Sequence, residues 1–324
     1  HFNSAFMNIL FISWNNFFHN LSVDINYFYS GMPYSTGALE EFNLVFLSEN
    51  KLVLLFQPKS AGNKEYVLFK NVINEYEMSK KWIRDMDMPY LADVNKLISE
   101  LKIENSVKAI ETNYSNQLSH VARAIIDKKA KYVLIAGPSS SGKTTSTKRI
   151  SLQLRSRGYD TLLISADNYF KDVSEYKKPK EEIDFEAIDC LDLKLLGKQL
   201  KDLVAGKKVQ LPEYNFALGV KEYNDPPVSI TEDTIILIEG LHAINDKMTP
   251  DLDPAKKFKI FLSPLMPLNI DKHNYISIND LRLMRRIVRD NRTRATDVGQ
   301  TITYWNIVRN GEEKNIYPFV NGVD

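Results

Sequence analysis

Four short apolar runs, Tyr132–Ala136, Thr161–Ser165, Thr234–Ile238 and Phe258–Leu262, recur along the second part of the chain, with helical patterns such as Leu191–Val204 between them. Continuous apolar runs of this length predict strands buried on both faces, and their alternation with helices predicts a doubly wound α/β domain with a parallel sheet over residues 131–324. Upstream, Leu91, Val94, Leu97, Ile98 and Leu101 fall at helical spacing, so residues 91–128 read as connecting helices, with 106–130 as the link into the α/β domain. Residues 1 to about 105 are rich in Phe, Tyr, Asn and Met. There Ala5, Ile9, Leu10 and Ile12 fit a helix, whereas Val23–Tyr29, Lys51–Phe56 and Tyr66–Phe69 read as strands, which predicts a smaller α+β domain.

Composition narrows the function classes. The 324 residues suffice for two domains, and 44% apolar content is that of a globular protein rather than a disordered one. With 42 basic against 41 acidic side chains, the net charge of +1 gives no global reason to bind nucleic acid or an anionic membrane. Any basic site must be local. The single cysteine, Cys190, lies in an apolar helical pattern; it rules out an intrachain disulfide, reads as buried packing and suits a reducing cytoplasm. The segment Ala5–Ile12 is too short to span a bilayer and reads as core helix. His1 and His19 lack a partner at ligand spacing and are not read as metal ligands. Oligomeric state is left open.

Gly137-Pro-Ser139-Ser140-Ser141-Gly142-Lys143-Thr144 matches the phosphate-loop pattern G-x-x-x-x-G-K-[ST] at every fixed position, directly after one predicted strand and before a predicted helix. The glycines permit backbone conformations closed to other residues, so successive N–H groups converge on a phosphate, and the helix N-terminus adds its dipole. Lys143 then reaches the β- and γ-phosphates and the Thr144 hydroxyl can ligate Mg²⁺. Nucleoside triphosphate binding follows. No N-K-x-D tetrapeptide is present to read guanine, although the loop alone does not choose between ATP and GTP.

Two further strands end in acids. The strand Thr161–Ser165 leads through Ala166 to Asp167, and Thr234–Ile238 to Glu239, placing both at the carboxyl edge where ligands bind in this architecture. Asp167 can accept the proton of an attacking hydroxyl, and Glu239 can hold Mg²⁺ through water or orient substrate. Either can equally be a helix cap or turn residue. Between Arg282 and Arg294 lie six arginines, Arg282, Arg285, Arg286, Arg289, Arg292 and Arg294, with Leu281, Met284, Ile287 and Val288 at helical spacing as an apolar face. Such a segment can be a solvated basic helix, a nucleic-acid-binding face or a lid that brings guanidinium groups to a transferring phosphoryl group. The lid is favoured because a phosphate loop lies in the same domain.

Together these segments resemble the phosphoribulokinase and uridine kinase family, uridine kinases most closely, from about Tyr132 to Phe319. The loop from Gly137 to Thr145 looks like the family's phosphate loop, and the resemblance places Ser139, Ser140, Ser141, Thr144 and Thr145 on ATP. Asp167-Asn-Tyr-Phe170 is similar to its Asp-x-[Phe/Tyr]-[Tyr/Phe] segment, which implies that Asp167 is the catalytic base, a substrate contact and a magnesium contact. Ile183-Asp-Phe185-Glu186 with Asp189 is similar to Asp-Phe-Asp-His-Pro-Asp, putting Glu186 where a carboxylate grips ribose hydroxyls, although Ala187-Ile188 replace His-Pro. Pro212-Glu-Tyr214-Asn-Phe216 looks like the hairpin against the base, but Gly219 replaces the expected histidine. Ile238-Glu239-Gly240-Leu-His242-Ala243 matches Glu-Gly-Ile-His-Ala, and Gln300 falls at a base-contacting glutamine. For the lid, the resemblance implies that Lys143, Arg289 and Arg292 serve catalysis, Arg285 and Arg294 contact ATP, and Arg282 contacts substrate. The implied activity is ATP- and Mg²⁺-dependent phosphorylation of a nucleoside 5′-hydroxyl, uridine or cytidine first. Alternatives are a kinase of another small alcohol, such as a sugar phosphate or pantothenate-like compound, or an ATP-binding RNA-associated module. Residues 1–105 are absent from minimal uridine kinases, and their position is similar to that of a region related to the editing-associated part of threonyl-tRNA synthetases in longer nucleoside kinases. Relatives continue beyond Phe319, so more chain is expected there.

Overall fold

A computed structural model describes residues 10–13, 42–48, 51–56, 70–176, 184–266, 268–272, 274–294 and 296–324. The chain divides into two compact units, His1–Lys70 with Lys272–Asn274, and Asn71–Asp271 with Tyr275–Asp324. Within the second unit, Leu91 N–H donates to Asn269 O at 2.9 Å.

In the first unit, β1 (Leu10–Ser13), β2 (Phe42–Ser48) and β3 (Lys51–Phe56) form an antiparallel sheet in the order β1-β3-β2. Strand β3 lies where the sequence pattern puts it. Of the helix expected over Ala5–Ile12, residues 5–9 lie outside the described residues and the rest is corrected: Leu10-Phe11-Ile12 pairs with Leu52–Leu54 as a strand. A short apolar run of β-branched and aromatic residues does not by itself separate helix from strand, and here cross-strand pairing decides. His1, His19 and the strands expected at Val23–Tyr29 and Tyr66–Phe69 lie outside the described residues.

The second unit opens with α1 (Lys70–Asp85), α2 (Leu91–Ser99) and α3 (Ile103–Asp127). Then follow β4 (Tyr132–Ala136), α4 (Lys143–Arg155), β5 (Thr161–Ser165), α5 (Leu193–Val204), a small hairpin of β6 (Glu213–Asn215) and β7 (Val220–Glu222), β8 (Ile235–Glu239) and β9 (Lys257–Phe261). Two helices close it, α6 (Ile278–Thr293) and α7 (Val298–Asn315). The main sheet is parallel in the order β5-β8-β4-β9. Every residue of β4 and β8 is buried, as continuous apolar runs require. One face packs Val133, Ile135 and Leu237 against Leu118, Ala122 and Ile125 of α3 and Ile150 and Leu154 of α4. Cys190 is buried, in a 3₁₀ turn (Ile188–Cys190) that ends before α5, because Asp192 caps that helix through Leu195 N–H at 2.9 Å. No helix among the described residues is long and apolar enough to cross a membrane.

Candidate active site

The phosphate loop is built where the central strand β4 stops. Gly137 is required by close approach, since a Cβ there would lie 2.3 Å from Leu262 O. Gly142, at φ 101°, takes a left-handed conformation that turns the chain into α4, and Ser140 adopts φ 60°. Lys143 folds back on the loop, its Nζ donating to Gly137 O at 2.9 Å and Pro138 O at 3.3 Å. Burial holds its pKa below the usual lysine range, opposed by Asp167 and Glu239. The Ser140 and Ser141 hydroxyls are buried with no hydrogen-bond partner among the described residues, while Thr145 is exposed.

Parallel pairing of β5 with β8, Ser165 opposite Glu239, brings the two sequence-predicted acids to one edge. Glu239 Oε1 accepts from Thr144 Oγ1 at 2.8 Å and from Ser165 Oγ at 3.2 Å. Its carboxyl is pushed above the ordinary range by burial, against the pull of Lys143. Asp167 stands in a 3₁₀ turn (Ala166–Tyr169), partly open, with Oδ2 3.7 Å from Arg294 Nη2. Asp167 opposes the Lys143 shift and adds to the Glu239 shift, so the three groups share one electrostatic neighbourhood. Thr144, Glu239 and Asp167 supply only hard oxygen donors, the set that suits Mg²⁺.

The arginine segment is helix α6, and its orientation overturns part of the expected amphipathic face. Leu281 and Ile287 are half-buried, but Met284 and Val288 are 55% and 53% exposed, whereas Arg282 is 1% exposed. Arg282 Nε donates to Ser139 O at 3.0 Å, Arg285 Nε to Ser140 O at 3.0 Å, and Arg286 Nη1 to Ser139 Oγ at 2.8 Å. Loop oxygens, not an apolar surface, set which side of α6 turns inward. Arg289 bonds Asp290 Oδ1 through Nε at 2.8 Å and Nη2 at 2.7 Å, and Arg294 lies over the Phe216 ring at 4.7 Å. Arg292 is exposed. Arg282, expected at the substrate, bonds the phosphate loop, pairs with buried Glu312 and lies over the Trp305 ring at 5.2 Å.

On the acceptor side, Phe170, Tyr214 and Phe216 form a mutually tilted aromatic wall with centroids 5.2 to 6.3 Å apart. Tyr214 is buried and Phe216 is 39% exposed, the more accessible of the two hairpin aromatics. Burial pushes the Glu186 carboxyl up to about 7, countered by Arg286. Burial also lowers His242 to about 4, opposed by the nearby Glu186 backbone and Asp167. Gly219 has φ 71°, and a Cβ there would lie 2.4 Å from Val173 Cγ2, so no side chain is accommodated at the place where a histidine was expected. Gln300, expected at a base, is exposed on the first turn of α7, its N–H bonded to Asp297 Oδ1 at 3.0 Å. Sequence reasoning missed Glu312. One acid of the Glu312-Glu313 pair, in a helix that is polar on most sides, carries no spacing signal that would have marked it as buried.

A parallel sheet with a phosphate loop at the end of its central strand, two acids at the same edge and an arginine helix on the loop together define a P-loop kinase. The chain belongs to the phosphoribulokinase / uridine kinase family, whose sequence model matches residues 133–324. It is 29% identical over 187 residues to the uridine kinase of Staphylococcus aureus (strain JH9), covering 57% of this chain and 80% of that one. Among solved structures it is similar to a possible uridine kinase from Bacillus stearothermophilus, at 22% identity, 55% and 96% coverage of this chain and that, and TM-score 0.39. It is also similar to D-glycerate 3-kinase from Cryptococcus neoformans var. grubii, at 15% identity, 64% and 90% coverage and TM-score 0.46. ATP use comes with membership of this kinase family.

Proposed function

We propose that this kinase transfers the γ-phosphoryl group of ATP to the 5′-hydroxyl of a nucleoside, uridine or cytidine. The observation that carries the reading is the placement of Asp167 at the sheet edge beside Lys143 and Glu239, with the aromatic wall of Phe170, Tyr214 and Phe216 continuing from it. Asp167 is the base: it accepts the proton as the hydroxyl oxygen attacks phosphorus. Thr144 and Glu239, with Asp167 nearby, would hold Mg²⁺, which would supply neutralisation of phosphate charge. Lys143 leaves the loop carbonyls for the β- and γ-phosphates, which exchange a neutral acceptor for an anionic one. Arg285, Arg289 and Arg294 act as a lid over the triphosphate, Arg294 bridging from Phe216 toward Asp167. The rings receive the base, and Glu186 accepts from ribose hydroxyls.

One observation favours a second reading, a kinase of another small alcohol. Gly219 and the exposed Gln300 leave the base without the polar contacts uridine kinases are expected to place there. An RNA-binding role for the arginine segment is disfavoured, because Arg282, Arg285 and Arg286 are engaged by the phosphate loop. Steady-state kinetics with uridine and deoxyuridine test the nucleoside reading. A carboxylate left with an unmatched acceptor costs roughly 1–3 kcal/mol, so kcat/KM should fall about 5- to 150-fold for the deoxynucleoside. Equal values would remove Glu186 from the ribose.

A further inference from the structure

The buried ion pair between α6 and α7 grips one residue of the phosphate loop at both of its backbone polar groups. Glu312 Oε1 accepts from the Ser139 N–H at 2.8 Å, and Arg282 Nε donates to the Ser139 C=O at 3.0 Å. Arg282 Nη2 and Glu312 Oε1 then pair directly, with both side chains out of solvent at 1% and 0% exposure. A third contact comes from the same helix α6, where Arg286 Nη1 donates to Ser139 Oγ at 2.8 Å. Helix α7 is fastened on the acceptor side as well, since Asn315 Nδ2 donates to Glu186 O at 2.9 Å.

We infer that Glu312 and Arg282 are positioning residues for nucleotide: they fix the two successive peptides that flank Ser139, and through them the curvature of the phosphate loop, relative to the helix that carries Arg285 and Arg289. The physical case rests on what each group does when isolated. A buried carboxylate and guanidinium are costly to desolvate, and an apolar pair of similar volume would hold two helices together at least as well. What an apolar pair cannot supply is an acceptor for Ser139 N–H and a donor for Ser139 C=O. The ionic pair therefore does something that helix packing alone does not require. The same anchoring gives α6 and α7 a fixed register on the loop, so that Arg285 meets Ser140 O rather than a neighbouring peptide.

This inference rests on the ATP-binding reading of the loop but not on the identity of the acceptor. Its test is equilibrium ATP binding by calorimetry, beside thermal unfolding, for the wild type, Glu312→Gln, Glu312→Leu, and Arg282→Met combined with Glu312→Leu. Glu312→Gln keeps an oxygen acceptor for Ser139 N–H and should bind ATP within roughly fivefold of wild type. Glu312→Leu should weaken ATP binding about 10- to 100-fold, the scale of losing one hydrogen bond to a charged group, and should also melt lower, because Arg282 is left buried without its partner. The double variant decides: it should recover most of the melting temperature while its ATP affinity stays as weak as in Glu312→Leu. A double variant that regains wild-type ATP affinity along with its stability would show a merely structural pair and overturn the inference. Failure of the nucleoside reading is separate, since it would leave wild-type ATP binding in place and remove only turnover of nucleosides.

Discussion

The phosphate end and the acceptor end of this kinase differ in how they are held. At the phosphate end, backbone geometry and charged hydrogen bonds converge: Gly142 turns the chain, Lys143 spans the loop, Thr144 meets Glu239, and three arginines of α6 reach Ser139 and Ser140. At the acceptor end, side chains from separate segments make a wall by ring contacts and two long hydrogen bonds of Tyr214, and one expected contributor, Gln300, stands in solvent. The contrast teaches that the chemistry is written into a continuous motif. Selectivity is assembled from scattered side chains that small local changes can redirect.

The comparison can be broken hardest at its junction. Asp167→Asn should lower kcat on the order of 10²- to 10⁴-fold with ATP binding retained, measured by steady-state turnover beside nucleotide titration. If only KM moved, Asp167 would belong to binding rather than proton transfer. On the phosphate side, Lys143→Ala should reduce kcat roughly 10²- to 10³-fold in a protein of unchanged circular dichroism, the scale of losing one preorganised charge at the transferring group. Unchanged turnover in a folded variant would remove the loop from the chemistry.

The acceptor side can be sharpened by pH. Glu186 has an ordinary value of 4.5 and is pushed up to about 7 by burial, so folding raises its affinity for a proton. Below pH 4.5 it is protonated folded and unfolded, and it costs nothing; the cost of its ionisation grows as pH rises from 4.5 to 7 and is complete above that. Glu186→Gln should therefore be more stable than wild type at pH 8, by about 2–3 kcal/mol, with the difference vanishing near pH 4. A constant difference across that range in chemical denaturation would place the carboxyl in water. The smallest effect is expected on the outer side of α6, where Val288→Thr should change stability by less than about 0.5 kcal/mol and leave turnover unaltered. A large loss there would mean that the exposed face of the helix is covered in the working enzyme.

Much of the fold was legible because burial on both faces of a parallel sheet leaves uninterrupted apolar runs. β4 and β5 fall at Tyr132–Ala136 and Thr161–Ser165, as the sequence pattern has them, and β8 and β9 lie one residue from their expected limits. The phosphate loop was legible because its glycines are dictated by backbone conformation. Helix α6 was read correctly as a helix and incorrectly as to part of its face. Amphipathic reasoning assumes that apolar side chains seek the core, whereas here three loop oxygens outcompete it for the inner side of the helix. Glu312 left no trace at all, since its partners, Ser139 and Arg282, are far away in sequence and meet it only after folding. In the first unit, the helix expected over Ala5–Ile12 fails at Leu10–Ile12 because three apolar residues carry no resolvable period.

The central claim, phosphoryl transfer from ATP to a nucleoside 5′-hydroxyl, is tested most directly by product analysis. The purified protein would be incubated with ATP, Mg²⁺ and uridine, and phosphorus NMR would follow ATP, ADP and any new phosphomonoester. The account predicts one 5′-phosphomonoester of uridine for each ADP formed, with the same reaction on cytidine and loss of product in Asp167→Asn. ADP formation without a nucleotide monophosphate from either nucleoside, together with turnover of a different small alcohol, would contradict it.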